Sequence, residues 1–195
     1  MLPILYQARI DSPLGPLRLV HDDEKRIRAL DFDDYEGRML RLLRLHLGRA
    51  GHEFTLMETA PDAAIKAAFD AYFAGELNAL DDLPTKTGGT PFQRNVWAAL
   101  RTIPAGHTMS YGELAAKIGQ TKAVRAVGLA NGANPIAIIV PCHRVIGANY
   151  SLTGYGGGLE RKRWLLAHEG VLLDTGPLAR VARPPVGMPY APPVR

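Results

Sequence analysis

The sequence predicts an α+β chain: a small strand-rich αβ unit first, then a mostly helical unit containing a helix-turn-helix. Three observations carry that prediction. Short β-rich runs bounded by turn residues fill residues 5–32, apolar residues at helical spacing recur from residue 35 onward, and the charge balance inverts near residue 85. Residues 1–85 hold ten Lys and Arg against fifteen Asp and Glu, whereas residues 86–170 hold ten against three. A basic second unit attracts polyanions, of which phosphate backbones are the commonest.

The elements follow in order. Residues 5–10, 17–20 and 27–32 read as an antiparallel sheet, separated by turn signals at Ser12-Pro13-Leu14-Gly15-Pro16 and His21-Asp22-Asp23. Residues 35–47 carry Met39, Leu42, Leu43 and Leu47 at helical spacing, and residues 63–77 carry Ile65, Phe69 and Phe73, so both helices are expected on that sheet. The run Leu83-Pro84-Thr85-Lys86-Thr87-Gly88-Gly89 reads as a linker, which sets the expected domains at 1–84 and 90–174.

Thr90-Pro91-Phe92-Gln93 is a capping box with proline at the first helical position, launching a helix with Phe92, Val96, Trp97, Leu100 and Ile103 on one face. Ser110-Tyr111-Gly112-Glu113 is a second capping box, and its short helix ends at Gly119. A third helix is expected over residues 122–131 with Gly132 as its C-terminal cap, and two short helices around a glycine turn suggest helix-turn-helix. The last helix, residues 159–169, is expected to bury Leu159, Trp164, Leu165 and Ala167. Its terminal Glu169 faces the negative end of the helix dipole, which leaves two readings open: a carboxylate with a cationic or hydrogen-bonding partner, or a solvated glutamate. Residues 175–195 are proline-rich and expected to be disordered.

The 195 residues contain one cysteine, Cys142, in Pro141-Cys142-His143-Arg144-Val145 after the apolar run Ile136-Ala137-Ile138-Ile139-Val140. One cysteine excludes an internal disulfide and a multi-thiolate zinc site, so no metal and an ordinary cytoplasmic setting are expected. No signal peptide or membrane-length apolar segment is present, so no membrane partner is expected. A lone cysteine is often a buried structural residue. Here the proline and the two potentially cationic neighbours point instead to a partly exposed nucleophile with its pKa lowered from about 8.5.

The second unit contains, in order, Pro91-Phe92-Gln93 with Val96-Trp97, Ser110-Tyr111-Gly112-Glu113-Leu114-Ala115, Arg125-Ala126-Val127-Gly128, Asn134-Pro135, Pro141-Cys142-His143-Arg144-Val145-Ile146, Gly157-Gly158-Leu159, and Trp164-Leu165-Leu166-Ala167-His168-Glu169-Gly170. In these motifs it resembles the O6-alkylguanine-DNA alkyltransferase (methylated-DNA–protein-cysteine methyltransferase) family in its compact bacterial form. The first unit resembles that family's ribonuclease-H-like N-terminal domain less specifically.

That resemblance implies irreversible, stoichiometric transfer of an alkyl group from O6-alkylguanine in DNA, with O4-alkylthymine as a second candidate lesion, onto Cys142, without a cofactor. It implies His143 as the base acting through a water, Glu169 as the group orienting the imidazole, and Tyr111 as the acid facing the departing guanine. The resemblance further implies that Asn134 braces the turn before the nucleophile, that Val145, Tyr155 and Gly156 border the guanine pocket, that Arg125 fills the space of a flipped nucleotide, and that Ser110, Lys122, Ala126 and Gly128 meet the minor groove of double-stranded DNA, bound by a monomer. Two other readings compete: a binding-only sensor of alkylated DNA, against which Cys142 argues, and a cysteine hydrolase, to which the helix-turn-helix lends no support.

Overall fold

The computed structural model describes residues 2–47, 53–174 and 180–182. Strands β1 (Ile4–Ile10), β2 (Leu17–His21) and β3 (Ile27–Phe32) form the expected antiparallel sheet. A fourth strand, β4 (Thr55–Glu58), lies parallel to β1, giving the order β3-β2-β1-β4. The sequence reading did not anticipate β4. Its four residues are largely exposed, so its pairing with β1, rather than an apolar pattern of its own, defines it.

The two-residue period of the strands sends side chains to opposite faces. Leu5, Val20 and Ala29 pack against Met39 and Leu43 of α1 (Glu36–His46). On the other face Ile10, Leu17, Leu19, Leu30 and Phe32 join Ile65, Phe69 and Tyr72 of α2 (Ala63–Phe73), and this cluster continues into Val96, Trp97 and Leu100 of the second unit. The helices are shorter than expected. A 3-10 turn, Asp33–Tyr35, precedes α1, and α2 stops at Phe73, just before Gly75 takes a left-handed conformation at φ +109°.

The expected linker is bound to the sheet edge around Thr85. The Ile27 N–H donates to the Pro84 carbonyl at 2.8 Å and the Lys86 N–H to the Ile27 carbonyl at 2.9 Å. Gly88 approaches α1 so closely that a Cβ there would stand 1.6 Å from the His46 carbonyl oxygen.

Both capping boxes form. Thr90 and Gln93 exchange bonds at the start of α3 (Pro91–Leu100), as do Ser110 and Glu113 at the start of α4 (Tyr111–Lys117). Helix α5 (Val124–Gly132) begins two residues later than expected, leaving Lys122 in the preceding turn, and Gly132 is its last residue rather than its cap. The Trp97 indole donates to the Ala130 carbonyl at 2.8 Å and ties α5 to α3. The two-residue strands β5 (Met109–Ser110) and β6 (Val145–Ile146) pair in parallel.

The last helix, α6 (Leu159–His168), buries a different stripe from the one expected. Leu159 is 48% exposed and Ala167 is exposed, whereas Lys162, Leu165 and Leu166 are buried, and so is Glu169 at the C-cap. Those positions follow the i, i+3, i+4, i+7 repeat of one helix face, with a lysine on it. Most of the proline-rich tail lies outside the described residues. Within it, the Val181 N–H donates to the Tyr150 carbonyl and the Ala182 N–H to the Leu172 carbonyl, both at 2.9 Å, so this short stretch is paired where disorder was expected.

Candidate active site

The run Ile136–Val140 is a series of turns, and the sheet edge holds it. The Leu30 N–H donates to the Pro135 carbonyl and the Ala137 N–H to the Leu30 carbonyl, each at 2.9 Å, so β3 grips the segment leading to Cys142. Ile138 sits at φ +66°, a conformation a β-branched residue keeps only when its surroundings enforce it. Asn134 ties the turn from within: its Oδ1 accepts from the Ile136 N–H at 3.0 Å, and its Nδ2 donates to the Val140 carbonyl at 2.8 Å and to Cys142 Sγ at 3.1 Å.

A 3-10 turn, Cys142–Arg144, then places three functional groups in succession. Cys142 is 5% exposed, which corrects the expectation of a partly exposed thiol. Burial pushes its pKa up, and the Asn134 hydrogen bond and the charges of Arg38 and Lys162 offset this only in part. The resting group is therefore the thiol. The adjacent guanidinium does not serve the sulfur either: Arg144 turns to Glu169, with Nε to Oε2 and Nη2 to Oε1 both at 2.9 Å.

Glu169 is thereby partnered rather than solvated. His143 Nε2 lies 2.9 Å from Glu169 Oε1. Burial opposes the carboxylate charge, yet His143 and Arg144 hold this carboxyl well below the usual range. Burial is also the main influence on His143 and, despite Glu169, moves its pKa down. A carboxylate accepts only, so the imidazole carries its proton on Nε2 and leaves a lone pair on Nδ1. Among the described residues, Nδ1 is buried with no hydrogen-bond partner.

A cavity of about 300 Å³ opens beside the sulfur, bordered by Tyr111, Gly128, Cys142, Tyr155 and Gly156, and also by Asn131, Gly132 and Gly154. The structure thus brings Tyr111, Tyr155 and Gly156 to one cavity with Cys142. Asn134 and Val145 stand behind the wall: Asn134 beneath the sulfur, and Val145 in β6 with its carbonyl accepting from Lys162. Gly128 packs on the Tyr111 ring, where a Cβ would meet ring carbons at 3.8 and 3.9 Å. Arg125, Ala126 and Lys122 are exposed on or beside α5, and the Ser110 hydroxyl caps α4.

Comparison with known proteins assigns the chain to a family. Residues 91–171 match the model of the 6-O-methylguanine DNA methyltransferase DNA-binding domain, and residues 5–87 match that of its ribonuclease-like domain. A methylated-DNA–protein-cysteine methyltransferase of Shigella flexneri is 52% identical over 169 residues, covering 87% of this chain and 98% of that one. The chain belongs to the 6-O-methylguanine DNA methyltransferase family. Another methyltransferase of that name, from Mycobacterium tuberculosis, is 48% identical over 170 residues, covering 85% and 93% of the two chains. The crystal structure of Mycobacterium tuberculosis OGT in complex with DNA superposes with a TM-score of 0.68 at 46% identity, covering 84% of this chain and 92% of that one.

In this methyltransferase-family chain three site-supporting residues escaped the sequence reading. Arg38 of α1 reaches the carbonyls of Gly132 at 2.8 Å and Asn134 at 3.2 Å while paired with Asp31, and its guanidinium lies against Gly156, where a Cβ would come within 2.6 Å of it. Lys162 is fully buried and donates to the carbonyls of Val145 at 2.6 Å and Thr153 at 2.7 Å. Tyr72 of α2 donates to Glu169 Oε1 at 2.9 Å. None of the three was singled out from the sequence; for Lys162 alone a local signal existed, its i, i+3, i+4, i+7 spacing with Leu165, Leu166 and Glu169.

Proposed function

We propose that Cys142 is the acceptor in direct repair of alkylated DNA by this methyltransferase-family protein. The single observation that carries the reading is that Cys142, which lines the cavity, is followed in the chain by a buried His143 whose Nε2 lies 2.9 Å from Glu169 and whose Nδ1 has no partner among the described residues. His143 takes the thiol proton on Nδ1 through a water, and Glu169 stabilises the resulting imidazolium. The sulfur displaces guanine at the alkyl carbon: an S–C bond forms, the C–O6 bond breaks, and the electron pair leaves with the base. Tyr111 passes its phenolic proton to the departing guanine in place of the lost alkyl group, and the proton held on His143 is returned through solvent to the Tyr111 phenolate, so both side chains end as they began. The thioether stays on the protein, so each molecule acts once.

Burial of the thiol fits a reagent used a single time. A protonated sulfur shielded from solvent reacts slowly with adventitious electrophiles, and Asn134 Nδ2, already aimed at it, favours the thiolate once His143 has drawn the proton. The cavity admits a base only when it leaves the duplex, at a cost of a few kcal/mol. Arg125, exposed on α5, fills the vacated stack, with Lys122, Ser110, Ala126 and Gly128 along the minor groove. Residues 1–84 and 90–174 act as two domains of a cytoplasmic monomer, the second carrying the chemistry. O6-alkylguanine is the proposed lesion, with O4-alkylthymine as a second candidate.

Incubation with a duplex containing O6-methylguanine tests the reading. One methyl mass should appear on the tryptic peptide bearing Cys142, once per molecule. Sustained turnover with unmodified protein would instead support a hydrolase, and binding without modification a sensor.

A further inference from the structure

Glu169 Oε1 accepts from three donors at 2.9 Å: His143 Nε2, Arg144 Nη2 and the phenol of Tyr72. Only the phenol comes from the first half of the chain. A carboxylate oxygen has two lone pairs, so three donors on it compete for the same electron density. We propose that Tyr72 is a positioning residue for alkyl transfer: its hydroxyl fixes Glu169 and limits the pull of that carboxylate on His143, keeping the imidazole neutral and able to accept the thiol proton. This rests on the roles given above to Cys142, His143 and Glu169.

The balance matters because His143 can fail in two ways. An imidazole without the carboxylate is too weak a base in a buried site, whereas one facing an unrestrained carboxylate is already protonated at rest and has nothing left to accept with. The groups acting on it are Glu169 at Nε2, Arg144 beside that carboxylate, Cys142 and Lys162 from the chain and helix flanking it, and the Tyr155 ring edge-on at 6.4 Å. From the first unit come Tyr72 and, acting electrostatically on Arg144 and Glu169, Asp81, which shares a small recess with Arg101. Of these, the Tyr72 hydroxyl is a neutral donor on the very oxygen that His143 uses.

Tyr72 is itself held in place. Its carbonyl lies 2.8 Å from His168 Nε2, and its ring packs edge-on against Phe73 and His168. The phenol is buried beside a carboxylate, so it keeps its proton and remains a donor. The contact gives the ribonuclease-like unit a direct part in the chemistry: it supplies a donor to the carboxylate of the second unit.

The experiment uses the full chain carrying Tyr72→Phe, with single-turnover transfer from a free O6-alkylated guanine followed by mass from pH 5 to 9. The acid limb of the rate profile should move to higher pH by about half a unit to one unit, lowering the rate near pH 6 by about three- to tenfold. Affinity for unmodified duplex should not change. Incorporation of 3-fluorotyrosine at position 72, a stronger donor of nearly the same shape, should move the same limb to lower pH, and it serves if Tyr72→Phe folds poorly. An acid limb that stays put, or moves in the opposite direction in either protein, overturns the role of Tyr72. Failure of the unsubstituted chain to alkylate Cys142 at all would sink the underlying reading instead.

Discussion

Asn134 Nδ2 stands 3.1 Å from Cys142 Sγ and 2.8 Å from the Val140 carbonyl, so one side-chain amide joins the candidate nucleophile to the turn that presents it. The arrangement is local in sequence yet depends on the strained Ile138 between its ends.

Asn134→Ala should therefore act on stability and rate together. It leaves the buried Ile136 N–H without its Asn134 acceptor, a loss of about 1–3 kcal/mol, and takes one donor from the Val140 carbonyl, which keeps the Cys142 N–H at 2.7 Å. Single-turnover transfer should slow by about tenfold or more, because the donor that favours the thiolate is gone. Urea denaturation and Cys142 alkylation rates check the two effects, and an unaltered rate would deny Asn134 any influence on the sulfur.

Glu169→Gln tests the buried charge cluster. Removing one partner leaves Arg144 uncompensated and should cost roughly 3–5 kcal/mol near neutral pH. The folded-state pKa of Glu169 lies below its ordinary 4.5, so its stabilisation is fully present above that value and is lost as pH falls towards the folded value. The stability gap between the two proteins should thus narrow below about pH 4.5, as urea midpoints would record. A gap independent of pH would mean that the carboxylate charge is not what stabilises the site.

Lys162→Met should remove an alkaline dependence. Burial lowers the Lys162 pKa from 10.5 to about 8, so between those values the unfolded chain binds more protons and stability rises with pH. The wild type should gain on the order of 2 kcal/mol relative to the variant from pH 8 to pH 10. Parallel stability curves for the two proteins would show that the buried amine does not titrate in that range.

Arg125→Ala should lower repair of duplex DNA by about tenfold or more while leaving reaction with a free O6-alkylated base nearly unchanged, since only the duplex must have a nucleotide extruded. Parallel rate measurements on both substrates decide it. Equal losses would rule out a role in extrusion.

Much of the site was legible because its signals are local. The capping boxes at Thr90 and Ser110 mark helix starts through side chains three residues apart, and both form as read. The position of Glu169 at a helix C-terminus left a partnered and a solvated carboxylate both open, and Arg144 and His143 decide for the first. The state of the thiol was not legible. Flanking cations suggested a lowered pKa, but Arg144 spends its charge on Glu169, and burial sets the sulfur's resting form. Strand β4 was missed for a related reason: its exposed residues carry no pattern, and its pairing partner β1 lies about fifty residues away in sequence.

The sequence by itself determined the α+β order of elements, the helix-turn-helix and the family motifs, because caps, periodicity and short motifs act over a few residues. Tertiary structure alone decided that Leu30 grips the turn before Cys142, that Lys162 is buried between two carbonyls, and that Tyr72 reaches Glu169 across 97 positions. Those contacts depend on which buried polar groups find partners once the two units share one core, and desolvation acts only there.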